Sequence, residues 1–239
     1  MARRSYEQYC GLAHALDAVG ERWTLLIVRE LMSGPKRYSD LENALDGIGT
    51  SLLATRVRQL ESDGLVRRRL LDPPVKAVAY ELTVAGRELA RAVIPLALWG
   101  ARYFMGEQRP PTERFRAEWA LVFLADSLEP AALRDITAEY EFHIDDSVVR
   151  MRIADGRARV VRGTSELPPA AVLQSDAVTV AAIAGGRVTV NDAITGGRIQ
   201  AVGNPEALQT LLTLLDMQLE SLRAQIDSSK RDDERDGAA

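Results

Sequence analysis

The chain has 239 residues, 46% of them hydrophobic, with 30 Lys and Arg against 34 Asp and Glu, and one cysteine. A single cysteine excludes an intramolecular disulfide framework, and no apolar run approaches the roughly 18 residues of a membrane span. The opening Arg3-Arg4-Ser5-Tyr6-Glu7-Gln8 is polar, so no signal peptide is expected and a reducing cytoplasm is the expected compartment.

The charge is uneven: residues 1–106 hold 15 basic groups against 12 acidic, net +3, and residues 107–239 hold 15 against 22, net −7, which together give −4. The length suits two domains of about 100–200 residues each. The mildly basic first part has the sign that a phosphate-backbone partner requires.

In chain order, helices are predicted over residues 5–19, with Tyr9, Leu12, Leu16 and Val19 near one side, and over residues 22–32, ended by Ser33-Gly34-Pro35. A helix over 39–45 follows, then a reversal at Gly47 and Gly49, then a helix over 51–63 that Thr50 or Ser51 can cap and Gly64 can end. At about 100° per residue, Leu53, Val57 and Leu60 share one side of that helix, with Ser51, Thr55, Arg58 and Ser62 opposite. Such a helix can be held by its own domain and offered to a DNA groove. Residues 65–71 and 77–83 alternate as two strands around Asp72-Pro73-Pro74-Val75-Lys76, a wing with a basic residue near its tip. Arg37, Ser39, Thr50, Ser51, Leu52, Thr55, Arg58 and Lys76 are therefore the candidate DNA contacts. Arg56, at the edge of the apolar side, can reach either a phosphate or an internal carboxylate. Arg67-Arg68-Arg69 suit phosphates, although alternation aims Arg68 away from its neighbours.

Residues 6–106 resemble the winged helix-turn-helix transcription factors of the HxlR type. The resemblance is carried by Cys10, by Leu16-Asp17-Ala18-Val19-Gly20-Glu21-Arg22-Trp23, by Arg37-Tyr38-Ser39-Asp40-Leu41, by Leu60-Glu61-Ser62-Asp63-Gly64-Leu65-Val66 and by Tyr80-Glu81-Leu82-Thr83. It implies a mainly α winged-helix domain that reads double-stranded operator DNA as a homodimer paired through its terminal helices. The predicted helix over 84–105, bent at Pro95, has apolar surface to spare, which a second copy would cover. Some relatives sense oxidants at the position matching Cys10; the plainer reading is a small buried hydrophobe in the first helix.

Gly106 to Pro111 reads as a linker, 107–111 by composition. Beyond it Thr112 can cap a helix carrying Phe115, Trp119, Val122 and Phe123. Three strands follow, with Tyr140, Phe142 and Ile144, then Val149, Met151 and Ile153, then residues 157–162 after an Asp155-Gly156 turn. Residues 170–174 can add a strand, Asp176 a cap for a helix running to Gly185, and residues 196–202 a last extended piece. The final helix starts at Asn204-Pro205-Glu206 and carries a stripe of Leu208, Leu211, Leu212, Leu215, Leu219, Leu222 and Ile226.

This order, with Ser175-Asp176-Ala177-Val178 and Asp192-Ala193-Ile194-Thr195-Gly196-Gly197, resembles the α+β sterol-carrier-protein-2-like domain over about 112–220. That resemblance implies an apolar tunnel for a lipid-like ligand, with Trp119, Phe123, Ile183, Ile194, Leu208 and Leu212 as candidate lining; the bland alternative is plain core. Residues 227–239 are charged and small and are expected to be disordered.

His14 and His143 are the only histidines, too few for a metal site or a Ser-His-Asp arrangement, and Gly185-Gly186 and Gly196-Gly197 lack the context of phosphate loops. No cofactor, metal or catalytic residue is expected. The expected function is a dimeric DNA-binding regulator, a repressor, whose domain over 112–226 senses a small hydrophobic ligand or supports the dimer. The alternatives are a lipid or sterol carrier whose N-terminal domain only dimerises, and redox sensing through Cys10.

Overall fold

The computed structural model describes residues 5–71 and 76–227, with backbone only over 223–227, and the chain divides into two units, residues 1–93 and 94–239. The first unit holds α1 (Gly11–Val19), α2 (Thr24–Met32), β1 (Lys36–Arg37), α3 (Tyr38–Ala44), α4 (Thr50–Ser62), β2 (Val66–Leu70) and β3 (Val78–Leu82). The long helix α5 (Val84–Phe104) gives residues 84–93 to this unit and the rest to the second. Strand order is β1-β3-β2, all antiparallel, with Val66 opposite Leu82 and Arg68 opposite Tyr80.

One core holds these elements: Ile27, Val28 and Leu31 of α2, Leu41 of α3, Leu53, Val57 and Leu60 of α4, with Val66, Leu82 and Ala90. Leu53 and Leu60 are fully buried, and each contributes about 1.5–3 kcal/mol by leaving water. The start of α5 comes so near the wing that a Cβ at Gly86 would stand 2.0 Å from the Leu65 carbonyl oxygen, so only glycine fits there. The Thr83 hydroxyl accepts from the Gly86 N–H at 3.1 Å and donates to the Gly64 carbonyl at 2.6 Å. Gly64 has the positive φ, 71°, expected after α4.

Three expectations need correction in this unit. The first helix begins at Gly11 rather than at residue 5: Cys10 is extended, with φ −141° and ψ 131°, and both Tyr9 and Cys10 are exposed. Cys10 is therefore not a buried hydrophobe. The second helix begins at Thr24, because Trp23 adopts φ 79° and cannot continue a right-handed helix backwards. Neither Thr50 nor Ser51 caps α4; its N-cap is Gly49, which has no side chain to do so. The wing tip over 72–75 and the tail over 228–239 lie outside the described residues.

The second unit adds α6 (Ala117–Ser127), a single turn α7 (Pro130–Leu133), strands β4 (Ala138–Ile144), β5 (Ser147–Ala154), β6 (Arg157–Arg162) and β7 (Ala171–Ser175), helices α8 (Ala177–Ala184) and α9 (Val190–Thr195), strand β8 (Gln200–Gly203) and helix α10 (Pro205–Asp227). The sheet runs β6-β5-β4-β7-β8 and is antiparallel except where β7 joins β4 in parallel. Tyr140, Phe142, Val149, Met151, Ile153 and Val160 form its apolar face, packed with Leu121, Leu133, Leu211 and Leu215. The buried Tyr140 hydroxyl donates to the Ala207 carbonyl at 3.1 Å, which ties β4 to α10, and burial raises its pKa.

Here too the ends shift. The helix expected from Thr112 starts at Ala117, leaving Phe115 outside it, and the stretch expected to be extended from 196 is strand only from Gln200. Between them lies α9, which no expectation named; the Thr189 hydroxyl caps it by accepting from the Asp192 N–H at 3.0 Å. Asp176 does cap α8, accepting from Thr179 N–H at 2.7 Å, and Asn204 accepts from Glu206 and Ala207 at the start of α10. The last turns of α5 meet the end of α8 closely. The Arg187 guanidinium donates to the Ala101 carbonyl at 3.0 Å, and a Cβ at Gly185 would stand 3.0 Å from the same oxygen.

Candidate nucleic-acid interface

Helix α4 sits with Leu53, Val57 and Leu60 inward and Ser51, Leu52, Thr55 and Arg58 exposed on the other side. Its first turn is tied to α3, where the Tyr38 hydroxyl donates to the Thr50 carbonyl at 2.7 Å. Burial raises the Tyr38 pKa, so the phenol stays a donor across the working range. The Thr50 hydroxyl, free of capping, donates to Glu42 at 2.9 Å. Thr55 donates to the Ser51 carbonyl at 2.9 Å and the Arg58 Nε to the Ala54 carbonyl at 3.2 Å, so both side chains lie along the helix and leave polar atoms facing outward.

The candidate residues fall into two groups. Ser39, Thr50, Ser51, Leu52, Thr55, Arg58 and Lys76 are exposed, the first on α3, the next five on α4 and the last at the base of the wing tip. Arg37 and Arg56 are held by carboxylates. The Arg37 guanidinium and backbone N–H both donate to Asp40, at 2.8 and 2.9 Å, and the hydrogen bond from that guanidinium holds the Asp40 pKa below the usual carboxylate value. Arg56 pairs with Glu21 at 2.7 Å; its side chain is 18% exposed, and its buried Nε has no hydrogen-bond partner among the described residues.

The wing repeats this arrangement. Arg67 and Arg69 both reach Glu81 on the paired strand, at 2.7 and 3.3 Å. Burial pushes the Glu81 carboxyl up, but hydrogen bonds and charge from the two guanidiniums outweigh it and leave its pKa lowered. Arg68, on the other face, lies over the Tyr80 ring and pairs with Glu61 at 3.1 Å. Glu21, Glu61 and Glu81 were not foreseen as partners. Only the strand register of Glu81 opposite Arg67 offered a signal, once the pairing was known.

In the second unit, Ile183, Ile194, Leu208 and Leu212 pack against the apolar core, whereas Trp119 and Phe123 are half-buried on α6, Trp119 beneath the Arg116 guanidinium at 5.7 Å. Cys10 is exposed before α1, and the backbone N–H groups of Ala13 and Leu12 hold its thiol pKa below the ordinary value. Among the described residues no group of three or more His, Cys, Asp or Glu could hold a metal ion, and no helix is long and apolar enough to cross a membrane.

A family model described as HxlR-like helix-turn-helix matches residues 18–108. An uncharacterised HTH-type transcriptional regulator of Mycobacterium tuberculosis is 40% identical over 100 residues, which are 42% of this chain and 63% of that protein. One of Synechocystis is 34% identical over 98 residues, 41% of this chain and 73% of that protein. Among solved structures, the reduced form of the transcriptional regulator YodB from B. subtilis is 29% identical, with a TM-score of 0.36, over 41% of this chain and 97% of that one. The chain thus spans just under two thirds of the length of the mycobacterial relative it matches.

Proposed function

The chain belongs to the HxlR-like helix-turn-helix family through residues 18–108, and from that premise we propose that it is a sequence-specific DNA-binding transcriptional regulator acting as a dimeric repressor. The observation that carries this is α4: three buried aliphatic residues fix it, and Ser51, Leu52, Thr55 and Arg58 stand exposed on its outer side. Those side chains enter the major groove, with Arg58 the one suited to a guanine edge and Lys76 and Ser39 on phosphates.

Dimerisation is supported by large apolar residues left exposed on two helices, Leu12 and Leu16 on α1 and Leu96, Trp99, Tyr103 and Phe104 on α5. A second copy would cover them and space two α4 helices about 34–36 Å apart, one turn of DNA. The C-terminal unit, in this reading, is a sterol-carrier-protein-2-like ligand sensor lined by Trp119, Phe123, Ile183, Ile194, Leu208 and Leu212. A ligand there regulates only if it favours the DNA-free arrangement over the DNA-bound one.

The test is a titration of the protein against the intergenic DNA beside its own gene, with a scrambled duplex of equal length, at two salt concentrations. Preference for the intergenic fragment by about 10³ or more, with steep salt dependence, is expected. Equal weak binding to both overturns the reading and moves the function to the C-terminal unit, as a lipid carrier. A second mode of control, through Cys10, is favoured by its exposure and lowered pKa. Cys10→Ser should then bind the operator normally and no longer respond to peroxide.

A further inference from the structure

The outer face of the C-terminal sheet carries charges that the winged helix does not use. Strands β5 and β6 pair with Arg152 opposite Arg159 and Ala154 opposite Arg157, across an Asp155-Gly156 turn in which both residues have positive φ, 52° and 68°. Met151, Ile153 and Val160 are buried on the core side, so the pleat turns Arg152, Arg157 and Arg159 to the opposite face, where all three are exposed.

The hairpin has two more arginines, and both are committed to internal structure. Arg150 donates to the Thr164 carbonyl at 3.2 Å and lies 3.8 Å from Glu166, and Arg162 lies 3.1 Å from Glu118. Arg152, Arg157 and Arg159, by contrast, have no ion pair or side-chain hydrogen bond among the described residues. Glu139 stands opposite Arg152 on β4 and Asp155 in the turn, yet neither comes within ion-pair distance.

Like charges directly opposite each other on neighbouring strands destabilise a sheet. The row therefore sits, uncancelled, in a region whose net charge is −7 and which has carboxylates to spare.

We infer that Arg152, Arg157 and Arg159 form a second, sequence-independent contact for the phosphate backbone of double-stranded DNA. The inference rests on the proposed function, because the polyanion that a DNA-bound regulator meets is the duplex flanking its own site. Guanidiniums suit phosphate oxygens by their planar, forked donors. Arg157 and Arg159 are two residues apart on one strand, about 7 Å, and B-DNA presents one charge per ~1.7 Å of axis, so each can find a phosphate. Once α4 is docked, tethering places these phosphates at high effective concentration, so contacts too weak to hold free DNA still add to binding.

The experiment compares full-length wild type, the triple variant Arg152→Ala/Arg157→Ala/Arg159→Ala and the matching triple Arg→Lys variant. Each is titrated, across a salt series, on the intergenic fragment with long flanks and on the same site trimmed to the footprint of the two α4 helices. On the long duplex the alanine variant should lower the slope of log K against log salt by about 2–3 for each protomer whose row is engaged, at roughly 0.9 per lost phosphate contact, and the lysine variant should restore most of it. On the trimmed duplex all three should bind alike.

An unchanged slope on the long duplex overturns the inference while leaving the regulator reading intact. Equal loss on both duplexes also overturns it, since the row would then act inside the footprint and not on the flanks, and so does a changed sedimentation coefficient without DNA, since the row would then serve the assembly of copies. Wild type that prefers neither duplex to scrambled DNA overturns the regulator reading itself, and the inference with it.

Discussion

The wing and the outer sheet each carry three arginines in or near strand register, and they differ in what surrounds them. Arg67 and Arg69 share Glu81, and Arg68 has Glu61; Arg152, Arg157 and Arg159 have no such partner among the described residues. A paired guanidinium is positioned before any ligand arrives, but its charge is largely cancelled and must be shared or released when a phosphate approaches. An unpaired one gives a stronger field and little order. The basic character of a region is thus better judged from which cations lack a carboxylate than from its net charge, which is +3 over residues 1–106 and −7 beyond.

The same sheet face shows both conditions, and the largest expected effect comes from its closed part. Glu141 accepts from the Ser165 backbone N–H at 2.7 Å and lies 2.6 Å from His143 Nε2, so it pins the connection between β6 and β7. Glu141→Ala should lower stability by about 3 kcal/mol, since two hydrogen bonds to a buried charge are lost; denaturant unfolding of the variant reads this directly. Burial pushes this carboxyl up, but the Ser165 N–H and His143 outweigh it and leave the pKa lowered. A lowered folded pKa means that the stabilisation is complete above the unfolded value of about 4.3 and is lost as pH falls through the folded one. Glu141→Gln should therefore flatten the acid limb of the stability profile below that value.

Next in size is Arg58→Ala, which removes an exposed donor from α4. Operator binding should weaken by about 1–3 kcal/mol, with relaxed preference at one base pair and an unchanged melting temperature. Binding like that of wild type would show that α4 presents a different face to DNA. Smaller again is Glu81→Gln, which removes from the wing the carboxylate that Arg67 and Arg69 share and leaves the Arg68–Glu61 pair in place. Without that carboxylate, Arg67 should steepen the salt dependence of DNA binding by about 0.9 in slope for each wing engaged. The exposed pairs themselves are worth only about 0–1 kcal/mol to the fold.

The parts of this molecule that were legible in the sequence are those set within a few residues of one another. Period 3.6 separated Leu53, Val57 and Leu60 from Ser51, Thr55 and Arg58, and the same period marked Leu211, Leu215 and Leu222 on α10, all of which are buried. The Asp155-Gly156 turn and the Asp176 cap follow from local backbone chemistry and were read from it. Position along the chain cannot report Arg56 meeting Glu21, 35 residues away, or β7 lying parallel to β4, because loop closure and core packing decide these. At Thr50 two local options competed; its hydroxyl serves Glu42 across the turn, and Gly49 takes the cap position. The outer arginines lie on strands that were expected, β5 and β6. Their lack of partners becomes visible only with the register.

Arg56 is where the two conditions meet, and the smallest predicted effect decides between them. Its side chain is 18% exposed while that of Glu21 is 61% exposed, so the carboxylate reaches inward over a guanidinium already sunk at the edge of the core. If Arg56 braces α4 against the segment before α2, Glu21→Ala should cost less than about 1 kcal/mol of stability, as a pair with one exposed member does. DNA affinity should then fall a few-fold, the salt slope should stay put, and Arg56→Ala should behave in the same way. If Arg56 instead turns to a phosphate when DNA binds, Glu21 competes with that phosphate. Glu21→Ala would then tighten binding and steepen the slope, and Arg56→Ala would flatten it by about 0.9. The buried stem and the 2.7 Å pair favour the brace, so opposite slope changes in the two variants would move Arg56 from the paired arginines to the phosphate-facing ones.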